Sequence, residues 1–156
     1  MAIETWMPVL ETKIGELAGL DGGARSSYPA DANDPGLPAR LGEYPIAIIL
    51  PASGQLGYSQ GGPNLEFHDV RIIIFTATGV VAEGHQVAVP FITRMRDKLA
   101  ANFMLDGTVD EIMPRKRPAN WYEGPGGIEY AGELYTGISF FYQVKENVSG
   151  DFSVTV

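Results

Sequence analysis

The order of apolar and polar residues divides the chain into blocks of helical and strand period. In residues 5–20, Trp6, Val9, Leu10, Ile14, Leu17 and Leu20 recur mainly at spacings of three and four, which sets an apolar stripe on one side of a helix. Thr5 is placed to cap this helix, Pro8 to fall in its first turn, and Asp21-Gly22-Gly23 to stop it. Residues 44–50 (Tyr-Pro-Ile-Ala-Ile-Ile-Leu) are nearly continuous in apolar character, as in a strand covered on both faces, and Pro51 ends it. Residues 65–78 alternate instead. Phe67, Asp69, Arg71 and Ile73 share one face, and His68, Val70, Ile72 and Ile74 the other, the core side. After a break at 79–86, a second helical stripe runs through residues 87–103, carried by Ala88, Phe91, Ile92, Met95, Leu99 and Phe103. Residues 108–113 and 133–145 read as further strands. In the longer one, Leu134, Thr136, Ile138, Phe140, Tyr142 and Val144 share a face, with Tyr135, Gly137, Ser139, Phe141 and Gln143 opposite.

The intervening segments 24–42, 52–64 and 114–127 are rich in Gly and Pro and have no apolar period. The first reads as a long ordered loop anchored by Tyr28, Leu37 and Leu41, the second as a hairpin-type connection, and the third as a loop. The order helix, strand, strand, helix, strand, strand predicts an α/β (α+β) fold: a mostly antiparallel sheet of about four strands, two helices packed on one face, and long Pro/Gly loops. A single domain is expected over 1–145. Residues 146–156 form a C-terminal extension whose Phe152-Ser153-Val154-Thr155-Val156 suits a short strand or an exchanged tail.

Composition narrows the function classes. The 156 residues, 45% hydrophobic and 19% charged, suffice for one domain with a real core. Eleven basic residues stand against 19 acidic ones, a net charge of −8, and such a field repels a polyanion and argues against a general nucleic-acid binder. Cysteine is absent, which excludes disulfides, thiolate metal sites and cysteine nucleophiles. No apolar run approaches the roughly 20 residues of a membrane span. The N-terminus carries Glu4 and no basic region followed by an apolar block, so neither a membrane segment nor a signal peptide is expected.

One literal catalytic motif occurs. Gly57-Tyr58-Ser59-Gln60-Gly61 fits Gly-x-Ser-x-Gly, which works where a strand turns sharply into a helix and lifts the serine to the sheet top. Here a strand follows, and His68 and His85 are placed as a strand residue and a loop residue rather than as triad partners. The two histidines show no His-x-x-x-His or Glu-x-x-His spacing. Asp31, Asn33 and Gly36 have the spacing that opens a calcium loop, but Pro35 and Gly42 stand where its further ligands are needed. Neither Gly54–Gly62 nor Gly124-Pro125-Gly126-Gly127 leads into a helix as a phosphate loop would. No catalytic residue, cofactor or metal site is expected. What remains is Arg115-Lys116-Arg117, the one dense basic cluster, with Asn120-Trp121-Tyr122 beyond it. The cluster is either a solvated loop or a patch that docks on an acidic neighbour or lines a channel crossed by DNA. Trp121 and Tyr122 either pack on their own domain or serve as interface aromatics.

The layout resembles the tail terminator and tail-completion (neck) proteins of long-tailed bacteriophages. The features that carry the resemblance are a short opening helix and a linker holding Ser27-Tyr28-Pro29 and Leu37-Pro38. An aromatic-Pro strand follows, Tyr44-Pro45-Ile46-Ala47-Ile48-Ile49-Leu50-Pro51, and Ser53-Gly54 opens the turn after it. A long strand at 67–78 then runs towards a helix at 89–99 decorated with Arg, Asp and Lys. The closing Tyr-x-Gly-x-x-Phe strand is Tyr135-Thr136-Gly137-Ile138-Ser139-Phe140, preceded by Ile128-Glu129-Tyr130-Ala131-Gly132. The match covers roughly residues 5–145, and the tail after Lys145 departs from it.

The resemblance implies a virion structural protein, made in the host cytoplasm, that acts by assembly and not as an enzyme. It implies a ring, commonly of six subunits, that caps the tail tube and joins it to the head. Its partners would be copies of itself, the tail tube protein and head–tail connector proteins, with DNA passing through the ring without sequence-specific binding. Loops 24–42 and 114–127 are then the intersubunit loops, with Arg115, Lys116 and Arg117 as electrostatic contacts and Tyr28, Leu37, Trp121 and Tyr122 as interface residues. Another connector or a tail tube subunit is the alternative within the class. From other classes, the alternatives are a small serine hydrolase using Ser59 with His68 or His85, or a ligand-binding domain.

Overall fold

Long alternating strands dominate the fold and set where everything else packs. The computed structural model describes residues 3–28, 36–57, 65–115 and 120–147, with the backbone alone at 55–57 and 147. In chain order the elements are α1 (Ile3–Gly15), β1 (Ala24–Ser26), β2 (Ile46–Gly57), β3 (Leu65–Thr78), α2 (Ala82–Ala88), α3 (Pro90–Ala101), β4 (Glu111–Pro114), β5 (Tyr122–Tyr130) and β6 (Glu133–Asn147). The sheet order is β1-β2-β3-β6-β4, and β5 also pairs with β6. Along one edge of β6, β4 therefore takes residues 142–145 and β5 takes residues 133–140. Only β1–β2 is parallel. The result is an α+β protein with an open, mostly antiparallel sheet.

Both helical units cover one face, as the stripes predict. Trp6, Met7, Leu10 and Ile14 of α1 and Phe91, Met95 and Leu99 of α3 pack on inward residues of β2, β3 and β6, among them Ile49, Ile72, Ile74, Ile138, Phe140 and Val144. Full burial of each such side chain stabilises the fold by about 1.5–3 kcal/mol. Lys98 of α3 pairs with Glu16 just beyond α1 at 2.8 Å, which holds the Glu16 carboxyl below the usual carboxylate range.

Among the described residues the sheet has six strands rather than about four, because two strands arise from segments that read as loops. β1 is three residues long, too short to show a period, and is fixed from outside when Ala47 N–H donates to Gly23 O at 2.9 Å. β5 crosses Gly124-Pro125, which fall in a register shift between Glu123 and Gly126. Proline is tolerated on such an edge strand because no inner ladder needs its N–H. The same reasoning explains why β2 starts at Ile46 and passes Pro51. β1 stops at the partner of Ile49, so beyond that point β2 is itself an edge, with a bulge between Pro51 and Ser53.

Helix boundaries also shift. α1 already runs at Ile3, so Thr5 is not its cap and Pro8 lies in the second turn; it ends at Gly15, and Leu17 and Leu20 stay buried on the turns that follow. The segment read as a break before residue 87 forms α2, held by contacts that no local pattern reveals. Thr76 Oγ1 donates to Gly84 O at 2.7 Å, Val81 N–H donates to Thr136 Oγ1 at 3.1 Å, and Thr136 Oγ1 in turn donates to Gly79 O. Gly84 permits this approach, since a Cβ there would meet Thr136 Cγ2 at 2.9 Å. Val89, with helical angles (φ −56, ψ −43), joins α2 to α3 as one bent unit. α3 ends at Ala101, which leaves Phe103 49% exposed and outside the stripe assigned to it. β4 begins at Glu111 and β6 continues to Asn147.

The Tyr-x-Gly-x-x-Phe pattern has a packing cause. Phe140 is buried under the helices and Tyr135 on the opposite face. At Gly137 a Cβ would lie 2.9 Å from Ile74 O and 3.3 Å from Phe75 Cδ1 and from Ile128 Cδ1. No side chain fits there without moving a strand.

Candidate docking surface

The second face of the sheet divides into a closed half and an open half. The closed half is apolar: Ile46, Ile48, Ile73, Phe75 and Tyr135 are buried with Leu41 of the segment that precedes β2. That segment is pinned at several points. Tyr44 Oη donates to Leu41 O at 3.0 Å and shares a 2.8 Å hydrogen bond with Thr78 Oγ1, while Tyr130 Oη donates to Pro38 O. Arg40 meets Glu133 at 3.0 Å, and this contact, with a hydrogen bond from Tyr135 Oη, holds the Glu133 carboxyl below the usual range. Desolvation pushes the Tyr130 and Tyr135 hydroxyls up.

The open half continues the same strands with polar and cationic residues. Ser53, Asp69 and Gln143 stand side by side across β2, β3 and β6. Ser53 Oγ donates to Asp69 Oδ2 at 3.0 Å and Gln143 Nε2 donates to Asp69 Oδ1 at 3.2 Å, so the carboxylate is satisfied within the row. Next to it Arg71 donates from Nε and Nη2 to Ser139 Oγ at 3.3 and 3.0 Å. The guanidinium carbons of Arg71 and Arg115 lie 5.9 and 4.3 Å from the Phe141 ring centre, within cation–π range. Among the described residues no carboxylate pairs with either cation, and Arg115 Nε is buried without a hydrogen-bond partner. Two guanidiniums that share one ring and pair with no carboxylate of the described residues can accept one from outside.

A groove of about 430 Å³, lined by Arg71 and Ser139 and by Glu123 and Glu129 of β5, runs along the β5 bulge, and an adjoining groove of about 430 Å³ follows residues 120–124. β5 pairs with β6 alone and so presents an open backbone edge. Where β5 meets β6, Val80 and Leu134 are 51% and 52% exposed. They adjoin each other beside Gly127, whose Cβ would touch both. Arg71 and the carboxylates Glu123 and Glu129 thus share a groove beside the open edge of β5, while Val80 and Leu134 lie on the helix-facing side near the other end of β5.

The residues singled out in the sequence fall in different places. Arg115 joins the groove system through Phe141, while Lys116 and Arg117 lie outside the described residues. Trp121 packs on Phe140 and Tyr142 with ring centres 5.7 and 6.1 Å apart, and Tyr122, 37% exposed, stands against it at 5.2 Å. Tyr28 packs partly buried on the helix-side core, away from this surface, and Leu37 is 38% exposed. The sequence reading missed Arg71 and Phe141. Alternation places both on the non-core face, which was the available signal, but nothing local shows that the ring bridges two cations. Ser59 lies outside the described residues, in the connection between the antiparallel neighbours β2 and β3, and His85 sits on α2. Among the described residues one group has the donor types of a metal site, Glu66, His68 and Glu146, on the helix-facing side at the far end of the sheet.

No protein-family model matches the chain, and no curated protein matches it. Among the described residues no helix is long and apolar enough to cross a membrane.

Proposed function

We propose that the protein is a structural subunit that works by self-assembly, a virion component of the tail terminator type. It forms a ring that caps the tail tube and joins it to the head. The observation that carries this reading is the open half-face along β5. Arg71 and Arg115 share the Phe141 ring there without a carboxylate partner among the described residues, beside the open edge of β5, on a protein whose net charge is −8. A second copy supplies carboxylates for Arg71 and Arg115, and contacts between unlike surfaces close into a ring when the rotation between copies closes. Other neck components and the tail tube protein are the outer partners, the ring sits in the virion, and DNA passes through it without sequence readout. Another head–tail connector or a tail tube subunit uses the same surface logic and differs only in its position.

Mass measurement and negative-stain microscopy of the purified chain, alone and with isolated tail tubes, test the reading. Closed rings are expected, unchanged by Ser59→Ala. A chain that stays monomeric at high concentration and forms no ring on tail tubes overturns it.

A further inference from the structure

The helix-facing side of β3 and β6 is apolar through Val70, Ile72, Ile74, Ile138, Phe140 and Val144 and then changes character. The next inward positions are His68 and Glu66 on β3 and Glu146 on β6. Glu66 stands directly across from Glu146, and His68 across from Val144. Alternation therefore brings all three side chains to one face. Two carboxylates directly opposed on one face ordinarily destabilise a strand pair. These two are also drawn out of solvent: the side chains of Glu146, His68 and Glu66 are 2%, 17% and 33% exposed.

Their donor atoms converge. One oxygen from each glutamate and one imidazole nitrogen lie within 4.8 Å of one another. His68 Nε2 is 3.3 Å from Glu146 Oε2 and also contacts Glu66 Oε1, yet it makes no hydrogen bond of acceptable angle with either. Groups aimed at each other would satisfy that angle, whereas groups aimed at a common point do not. The imidazole is held from two sides. The Trp6 ring centre is 5.6 Å away at a 53° tilt, and Gly54, its cross-strand neighbour, leaves the space where a Cβ would come 3.4 Å from Nδ1. Backbone register and packing thus fix the donors before any ligand arrives.

We propose that Glu66, His68 and Glu146 form a binding site for one divalent transition-metal ion, with Zn2+ the best fit. An imidazole nitrogen with two carboxylate oxygens belongs to the zinc ligand range, whereas an all-oxygen set would suit calcium or magnesium. Glu66 is the most exposed of the three, so the ion enters and keeps a water ligand on that side. Bound there, the dication lies between the opposed carboxylates and ties β3 to β6 beside α1. The site is on the opposite face from the docking groove and does not depend on the assembly reading. Sequence inspection missed it because Glu66 and His68 are spaced by two, as a strand requires, and Glu146 is distant in the chain.

The test uses the full chain, freed of any affinity tag and of metal by chelation, then titrated with Zn2+ by calorimetry and followed by NMR of its two histidines. One equivalent of Zn2+ should bind, shifting the His68 ring signals and leaving those of His85 in place. His68→Ala should abolish binding, and Glu66→Gln, at the most exposed ligand, should weaken it at least about tenfold, a scale that loss of even an outer partner reaches. His85→Ala should change neither. If His68→Ala does not fold, the wild-type NMR titration and Glu66→Gln decide alone. The proposal is overturned by an absence of saturable one-to-one binding, by unmoved His68 signals, by Glu66→Gln binding as wild type does, or by Ca2+ binding as tightly as Zn2+.

Discussion

The two faces of the sheet are made by the same three long strands and differ in what completes them. Under α1 and α3 every inward position from Val70 to Ile74 and from Ile138 to Val144 is buried against a helix of the same chain. On the other face residues 36–45 cover one half, and among the described residues Asp69, Arg71, Phe141 and Gln143 of the other half stay half-buried. Over the helix-covered stretch the strand positions finished from within are apolar. The open half-face carries charge of both signs: Asp69 is satisfied within its row, Glu123 and Glu129 line the groove with Arg71, and neither Arg71 nor Arg115 pairs with a carboxylate of the described residues. The proposed assembly would complete that half from outside the chain.

Neighbouring phenylalanines give the sharpest way to break that comparison. Phe140 is fully buried under the helices, and Phe141 points to the open face. Phe140→Ala should lower the unfolding free energy by about 3–5 kcal/mol. Phe141→Ala, at a half-buried ring shared by Arg71 and Arg115, should cost less, about 1–2 kcal/mol. Urea unfolding measures both, and equal losses would mean that the faces do not differ as described. Gly137→Ala comes next, at about 1–3 kcal/mol from overpacking against Ile74 O. A neutral result would show that the strands there are not held in close register.

A smaller effect probes the closed half through pH. The Glu133 carboxyl is held below its usual range, first by the Arg40 hydrogen bond and then by that of Tyr135. Its contribution is complete above the ordinary carboxylate value and is lost as pH falls through the depressed one. Thermal unfolding from pH 6 down to about pH 3 should therefore fall less steeply in Glu133→Gln than in the parent. An identical slope would remove the Arg40–Glu133 contact from the account.

How much of this was legible follows the same division. Periods of two and of 3.6 residues identified β3, β6, α1 and α3, because in each of them alternation or striping answers directly to a covered face. Local reading failed where a distant part of the chain decides. α2 depends on hydroxyls from Thr76 and Thr136, and β5 holds a Gly-Pro bulge only because β6 offers a ladder beside it. The docking surface was half visible. Arg115 stood out in a basic run, whereas Arg71 needed the β3–β6 register that sets it opposite Phe141. The cluster around His68 needed that register as well.

Self-assembly through the open half-face, as proposed, is tested by the solution mass of the parent beside an Arg71→Glu, Arg115→Glu double variant. Sedimentation velocity should find the parent as a closed oligomer and the variant as a monomer whose circular dichroism shows it folded. A parent that stays monomeric, or a variant that assembles as the parent does, would contradict the account.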